Sequence, residues 1–342
     1  MKKLSIIIPL YNVEQFVERA AKSIVSQQFS YNDNNNDIEV VLVDDGSTDS
    51  SLDICLKNLQ GVKGINTVPI RQENKGLSAA RNAGIHAATG EYILFLDADD
   101  FLLPNALENI IKDLNTAQCD VLFGRYRLWN PKKGFRPLKP YNYNPPTDTA
   151  SQNNITDYTL TDYILTKLPE PSWNVWRYIC KRDFILSNNL YFEEGILCED
   201  VPWTLNMLEK AKTIHFLQEP FYAYYHRRTG SIMNTKNTKR ITDLNTIVIR
   251  FLQRLREDPE RTALYKTLVN QSFVYIYEYC LFTKSDRKIL FDSYKLIRPM
   301  FSHSISPIHR IAARFNRPIL LYWLSVLMMC MVKVRRFLKR IA

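Results

Sequence analysis

A chain of 342 residues with 45 Lys and Arg against 35 Asp and Glu, 46% hydrophobic and 12% aromatic, has a globular composition and a formal charge of +10. That mixture excludes a disordered, collagenous or disulfide-stapled chain, and the length suffices for a full-sized core with a second, smaller unit. The charge is uneven: residues 301–342 hold Arg310, Arg314, Arg317, Lys333, Arg335, Arg336, Lys339 and Arg340 and no acid, which leaves 37 cations against all 35 acids over residues 1–300. A polyanion contact is therefore expected at the tail.

Met1-Lys2-Lys3 is followed by a short apolar run before Pro9, too short for a secretory leader, so no export is expected. Runs rich in β-branched residues at 4–8, 38–43, 65–70 and 92–96 predict strands, while Phe16, Val17, Ala20, Ala21, Ile24 and Val25 fall at helical spacing. This alternation predicts βαβ units and a parallel sheet, in which ligands sit beyond the carboxyl ends of the strands. Those ends carry Pro9-Leu10-Tyr11-Asn12, Asp44-Asp45-Gly46-Ser47, Glu73-Asn74-Lys75-Gly76 and Asp97-Ala98-Asp99-Asp100. Residues 31–37 read as an Asn-rich surface loop, and 129–149 as a long Pro- and Asn-rich loop of the lid or binding type. Residues 172–225 mix aromatic side chains with short helices, and beyond Gly230 the spacing predicts helices over about 239–256, 260–282 and 286–300. The six cysteines, Cys55, Cys119, Cys180, Cys198, Cys280 and Cys330, are far apart and form no C-x-x-C pair, as expected of reduced thiols in a cytosolic protein.

Asp97-Ala98-Asp99 follows a strand directly, so two carboxylates arrive side by side at the sheet edge, a donor set for Mg²⁺ or Mn²⁺ held together with substrate phosphates. The plain alternative is a helix cap ahead of Pro104-Asn105. A carboxylate of Asp44-Asp45 can accept from the N–H of a pyrimidine base, with Gly46 admitting the backbone; its alternative is a turn in which Ser47, Thr48 or Asp49 caps a helix. Lys75 and Arg81 stand where they can face phosphate or base, or form a solvated helix face. Glu199-Asp200 ahead of Val201-Pro202-Trp203 is compatible with an ordinary first helical turn, and Trp173 and Trp176 with core packing or a sugar platform. No G-x-G-x-x-G follows the first strand and no G-x-x-x-x-G-K-[ST] occurs, which disfavours a dinucleotide-binding dehydrogenase and a P-loop NTPase.

The blocks Ser5-Ile6-Ile7-Ile8-Pro9-Leu10-Tyr11-Asn12, Val43-Asp44-Asp45-Gly46-Ser47-Thr48-Asp49, Asn74-Lys75-Gly76-Leu77-Ser78-Ala79-Ala80-Arg81-Asn82 and Asp97-Ala98-Asp99-Asp100 resemble, in order and spacing, the family 2 inverting glycosyltransferases of the GT-A fold, of the bacterial cell-surface polysaccharide type. The resemblance continues through Trp173-Asn174-Val175-Trp176-Arg177, Glu194-Gly195-Ile196-Leu197-Cys198-Glu199-Asp200 and Tyr224-Tyr225-His226-Arg227-Arg228, so it covers residues 1–235. It implies a mostly parallel central sheet flanked by helices as a catalytic domain over 1–235, followed by an all-helical extension over 236–317.

It further implies a nucleotide-sugar donor, UDP-linked, and a hydroxyl of a glycan acceptor on a lipid carrier. Pro9, Tyr11, Asn12, Asp45, Lys75, Arg81, Asp97 and Ala98 would hold the nucleotide, and His226 and Arg228 would close over its diphosphate. Asp99, with Asp97, would coordinate Mg²⁺ or Mn²⁺, Asp200 would be the general base beside Glu199, and Trp173 and Trp176 would meet the acceptor. A single displacement needs one base outside the metal site and one cation at the leaving group, which these residues supply. A nucleotidyltransferase that makes a sugar nucleotide, and a non-catalytic sugar-nucleotide-binding module, are the competing readings. The oligomeric state stays open.

Residues 319–332 are apolar except for Ser325. As a helix they reach roughly 21 Å, short of the ~30 Å hydrocarbon core, and cations flank them on both sides. With Tyr322 and Trp323 at headgroup level, residues 318–342 are expected to lie on an anionic cytoplasmic leaflet, making the protein peripheral on the inner face of the cell membrane, with no nucleic-acid partner. A helix docked on the preceding helices is the alternative.

Overall fold

The computed structural model describes residues 2–27, 38–137, 173–226 and 238–257, and the chain divides into two units, Met1–Thr235 and Lys236–Ala342. In the first unit β1 (Leu4–Leu10), α1 (Glu14–Val25), β2 (Ile38–Asp44), α2 (Ser51–Leu59), β3 (Ile65–Arg71), α3 (Leu77–Ala87) and β4 (Tyr92–Phe95) alternate as the apolar runs predict. Then come β5 (Phe101–Leu102), α4 (Ala106–Thr116), the hairpin of β6 (Val121–Asn130) and β7 (Gly134–Phe135), β8 (Tyr178–Lys181), α5 (Arg182–Ser187), α6 (Asp200–Lys210) and β9 (Ile214–Tyr225).

Among the described residues the sheet order is β3-β2-β1-β4-β8-β6-β9-β5, with β7 on the edge of β6. Strands β3, β2, β1 and β4 are parallel neighbours; β8 runs against both β4 and β6, and β6 and β9 are again parallel. The carboxyl ends of β1, β2, β4, β6 and β9 therefore share one edge, and the polar blocks collect there.

Every residue of β1 and β2 is buried, the signature of strands covered on both faces. Leu4, Ile6, Ile8 and Leu10 join side chains of α1, α2 and α4 in one core. Ile7 points to the other face, where α3 comes so close at Gly84 that a Cβ there would collide with the Ile7 side chain. That contact seats α3, and with it Arg81, against the sheet. Helix α6 is fixed by Trp203: its ring stacks on Phe192 at 5.0 Å and meets Phe95 edge-on at 5.8 Å, and Nε1 donates to the Leu190 carbonyl at 3.0 Å. Each aromatic pair adds about 0.5–1.5 kcal/mol beyond area burial. Phe95 lies two residues before Asp97, so one cluster positions both the end of β4 and the first turn of α6.

In the second unit α7 (Thr238–Glu257) buries Leu244, Ile247, Val248 and Phe251, the spacing of one helical face. The helices expected over 260–282 and 286–300, the tail at 318–342 and most of the loop at 129–149 lie outside the described residues. No helix among the described residues is long and apolar enough to cross a membrane.

Candidate active site

The loops after β1 and β2 are tied to each other. Asn12 takes the left-handed conformation, φ 51°, and its Oδ1 accepts from the Thr48 amide at 2.8 Å and from the Thr48 hydroxyl at 3.2 Å. Asn is one of the few residues that tolerates this conformation in a turn. Pro9 is buried within β1 opposite Val43, whereas Tyr11 is 51% exposed at the edge. Gly46 has φ 76°, and a Cβ on it would stand 2.9 Å from the Asn74 amide nitrogen, so only glycine lets the loops after β2 and β3 close on each other. Helix α2 starts after Ser50, and Asp49 accepts from the Ser51 amide.

Asp45 organises the third loop. Its Oδ1 accepts from Gln72 Nε2 at 2.7 Å and from the Lys75 amide at 2.9 Å, and its Oδ2 accepts from the Gly76 amide at 2.8 Å. A carboxylate has about four acceptor positions, so a fourth donor can still be bound. The Lys75 side chain is exposed.

The end of β4 is the centre of the site. Asp97 and Asp99 are half-buried, Ala98 lies between them in the core, and Asp100 is buried. Arg81, one turn inside α3 and 3% exposed, bridges two elements: Nη2 donates to Asp97 Oδ1 at 2.9 Å, and Nη1 to Glu199 Oε1 at 2.6 Å. Burial alone would lower the Arg81 pKa, but the charges of Asp97 and Glu199 outweigh it and raise it above the usual range. The resemblance implies a donor contact for Arg81; in the structure each terminal nitrogen donates to a carboxylate. Glu199 precedes α6 and Asp200 opens it, so the helical-turn reading of this pair holds and the same turn carries both carboxylates to Arg81 and its surroundings. Cys198, just before them, has φ 64°, a conformation unusual for a non-glycine residue, and it turns the chain into this helix.

Asp100 shows what the sequence alone conceals. Tyr222 donates its hydroxyl to Asp100 Oδ2 at 2.7 Å and accepts from the Asp97 amide at 3.2 Å, while the Tyr225 amide donates to Asp100 Oδ1 at 2.7 Å. These partners come from β9, more than a hundred residues away, and no spacing rule links them. Burial, then the charges of Asp99 and Asp97, push the Asp100 carboxyl well above the usual range. On β9 the aromatic alternation was the available signal, and it reads equally as core.

His226 follows β9; its amide donates to the Trp129 carbonyl at 2.9 Å, and Arg228 lies outside the described residues. Trp176 corrects the acceptor expectation: it is 2% exposed and stacks on Tyr222 at 4.2 Å, so it belongs to the core under the site and offers no face to a sugar. Trp173 is half-buried, and its carbonyl accepts from Thr204 Oγ1.

Asp97 and Asp99 fit a hard divalent cation. Both are oxygen donors at one strand end, and the upward push on Asp100 registers the negative charge crowded there. Among the described residues no group of three or more His, Cys, Asp or Glu forms a closed metal cage. The pair suits a cation that brings further oxygen ligands with it, as Mg²⁺ or Mn²⁺ does on a diphosphate.

A sheet with its carboxylate-bearing loops gathered at one edge in this order is the GT-A fold, and it superposes on the crystal structure of S. aureus TarS 1–349 in complex with UDP-GlcNAc with a TM-score of 0.67 at 18% identity, over 91% of this chain and 87% of that one. Residues 5–167 match the family model "Glycosyl transferase family 2". Over those residues the chain is similar to that family. Its relatives include the uncharacterised glycosyltransferases YibD of Escherichia coli (strain K12), 30% identical over 70% of this chain and 66% of that protein, and EpsJ of Bacillus subtilis (strain 168), 32% identical over 65% and 60%. The chain thus spans just under two thirds of the length of the first and less of the second.

Proposed function

We propose that the protein is a metal-dependent inverting glycosyltransferase that moves a sugar from a nucleotide donor, UDP-linked, to a hydroxyl of a glycan acceptor carried on a lipid. The observation that carries this reading is the Arg81 bridge: one buried guanidinium holds Asp97, at the end of β4, and Glu199, at the start of α6, which supports a donor side and a base side arranged about one centre.

In this reading the loops after β1, β2 and β3 bind the nucleotide. The fourth acceptor position of Asp45 takes the base N–H, and Pro9, Tyr11, Asn12 and Lys75 surround it. Asp99 and Asp97 would hold the Mg²⁺ or Mn²⁺, which supplies charge neutralisation to the leaving diphosphate. Asp200 accepts the acceptor hydroxyl's proton as that oxygen attacks the anomeric carbon from the face opposite the diphosphate, a proton transfer worth on the order of 10²–10⁴-fold. Glu199, anchored to Arg81, fixes the turn that presents Asp200. His226, with Arg227 and Arg228, covers the diphosphate, and residues 318–342 bring the catalytic unit to an anionic membrane surface where a lipid-linked acceptor resides.

Asp200→Asn is expected to abolish sugar transfer, followed as release of nucleoside diphosphate, while UDP still binds in calorimetry. Normal turnover in this variant would remove Asp200 as the base, and release of pyrophosphate by the unaltered protein would replace the reading with a nucleotidyltransferase.

A further inference from the structure

Helix α1 carries Arg19 and Ser23, four residues apart and therefore on one face, and Gln27 follows two residues beyond the helix end. All three side chains bond the main chain between Asp99 and Leu107. Arg19 Nη2 donates to the Asp99 carbonyl at 2.7 Å, Ser23 Oγ accepts from the Leu102 amide at 3.0 Å, and Gln27 donates to the Leu103 carbonyl at 3.1 Å and accepts from the Leu107 amide at 3.3 Å. Ser23 and Gln27 are buried. The Arg19 guanidinium is also enclosed by three rings from three strands: its central carbon stands 4.3 Å from the Trp129 ring centroid and 5.1 Å from those of Phe101 and Tyr225.

We propose that Arg19 is a positioning residue which, acting through the Asp99 main-chain carbonyl, fixes the direction in which the Asp99 carboxylate is presented to the metal–diphosphate. A carbonyl in the turn moves with the plane of its peptide, and that plane sets the Cα–Cβ vectors on either side. A planar guanidinium held among three rings is restricted in orientation, so its donor restricts the orientation of the carbonyl. Ser23 and Gln27 secure the chain further along, where no proposed metal ligand stands, and Arg19 alone of the three reaches an Asp-x-Asp residue. The proposal rests on the reading of Asp99 as a metal ligand.

The test is a titration of Mn²⁺ into the full-length protein with saturating UDP, with free Mn²⁺ followed by electron paramagnetic resonance and with no turnover required. Arg19→Met is expected to weaken Mn²⁺ binding about tenfold, the lower end of what loss of an outer partner costs a metal site, and Arg19→Lys is expected to fall between it and the unaltered protein. A merely structural role would lower the melting temperature in EDTA and leave the Mn²⁺ titration unmoved; folded variants with unchanged affinity therefore overturn the proposal. Should Arg19→Met fail to fold, Arg19→Lys, which keeps the charge and a donor, decides by the same titration. Asp99→Ala separates the two levels. If it too binds Mn²⁺ normally, the metal reading of the site falls; if it loses Mn²⁺ while both Arg19 variants do not, only the role of Arg19 falls.

Discussion

At the amino edge of the sheet Glu39 is 1% exposed, and at the carboxyl edge Asp100 is 1% exposed, yet the two buried carboxylates are treated in opposite ways. Glu39 has each acceptor position filled: Oε1 takes Lys2 Nζ at 2.6 Å and the Thr89 hydroxyl at 2.8 Å, and Oε2 takes the Ser5 hydroxyl at 2.6 Å and the Thr89 amide at 2.8 Å. Burial would raise its pKa, and the bonds from Lys2, Ser5 and Thr89 outweigh burial and hold it below the usual range. Asp100 also accepts two hydrogen bonds, but Asp99 and Asp97 add their charges to burial and it moves the other way. Equal burial thus goes with a carboxylate whose charge is stabilised at one edge and one whose charge is disfavoured at the other. The first edge closes the fold; the second crowds carboxylates together at the end of β4, where the proposed metal–diphosphate site lies.

The sharpest way to break this contrast is Arg81→Met. It removes the cation that Asp97 and Glu199 share and leaves two largely enclosed carboxylates facing each other. Sugar transfer is expected to fall on the order of 10²–10³-fold, the range for loss of a preorganised polar group. Thermal unfolding is expected to show a loss of about 3 kcal/mol, the lower end for a broken buried pair, because Asp97 keeps some exposure. A variant with full activity would mean that the two edges do not differ in the way described.

Much of the carboxyl edge was legible in the sequence, because β-branched runs place strand ends and each strand end is followed by a polar block. The strands at 4–10, 38–44, 65–71 and 92–95 match those runs within a few residues. What was not legible is direction. Arg81 reads from its position on α3 as facing phosphate or base, or as part of a solvated helix face, and only packing at Gly84 and the approach of α6 set it against carboxylates. Trp176 reads as platform or core with equal right until Tyr222 is placed against it at 4.2 Å. The spacing of Arg19 and Ser23 was visible, but polar residues four apart on a helix ordinarily face water, and nothing local says that a returning loop will cover them and Gln27.

The pH dependence of stability sharpens the contrast in metal-free buffer. Glu39 has a folded-state pKa below its unfolded value of about 4.3, so its contribution is present above that pH and is lost as pH falls through the folded value. Asp100 has a folded-state pKa above its unfolded value of about 3.9, so its contribution is present below that pH and is lost as pH rises through the folded value. Glu39→Gln is therefore expected to cost about 2 kcal/mol at neutral pH, since one polar acceptor replaces a charged one, and less at pH 3. Asp100→Asn is expected to gain stability relative to the parent between pH 4 and 7. Urea melts at several pH values in EDTA check both, and parallel profiles for the two variants would erase the distinction.

The smallest expected effect lies at Lys2. Its ammonium is about a quarter exposed, so its pair with Glu39 is screened, and Lys2→Ala is expected to cost only about 0.2–1 kcal/mol in urea melts. The reason is that three of the four bonds to Glu39 come from neutral donors that remain when Lys2 is gone. At the carboxyl edge the corresponding neutral donors to Asp100 fail to offset its acidic neighbours. The amino edge should thus tolerate loss of its cation where the carboxyl edge does not tolerate loss of Arg81. A Lys2→Ala cost as large as that of Glu39→Gln would show that charge pairing, and not complete hydrogen bonding, is what settles a buried carboxylate in this sheet.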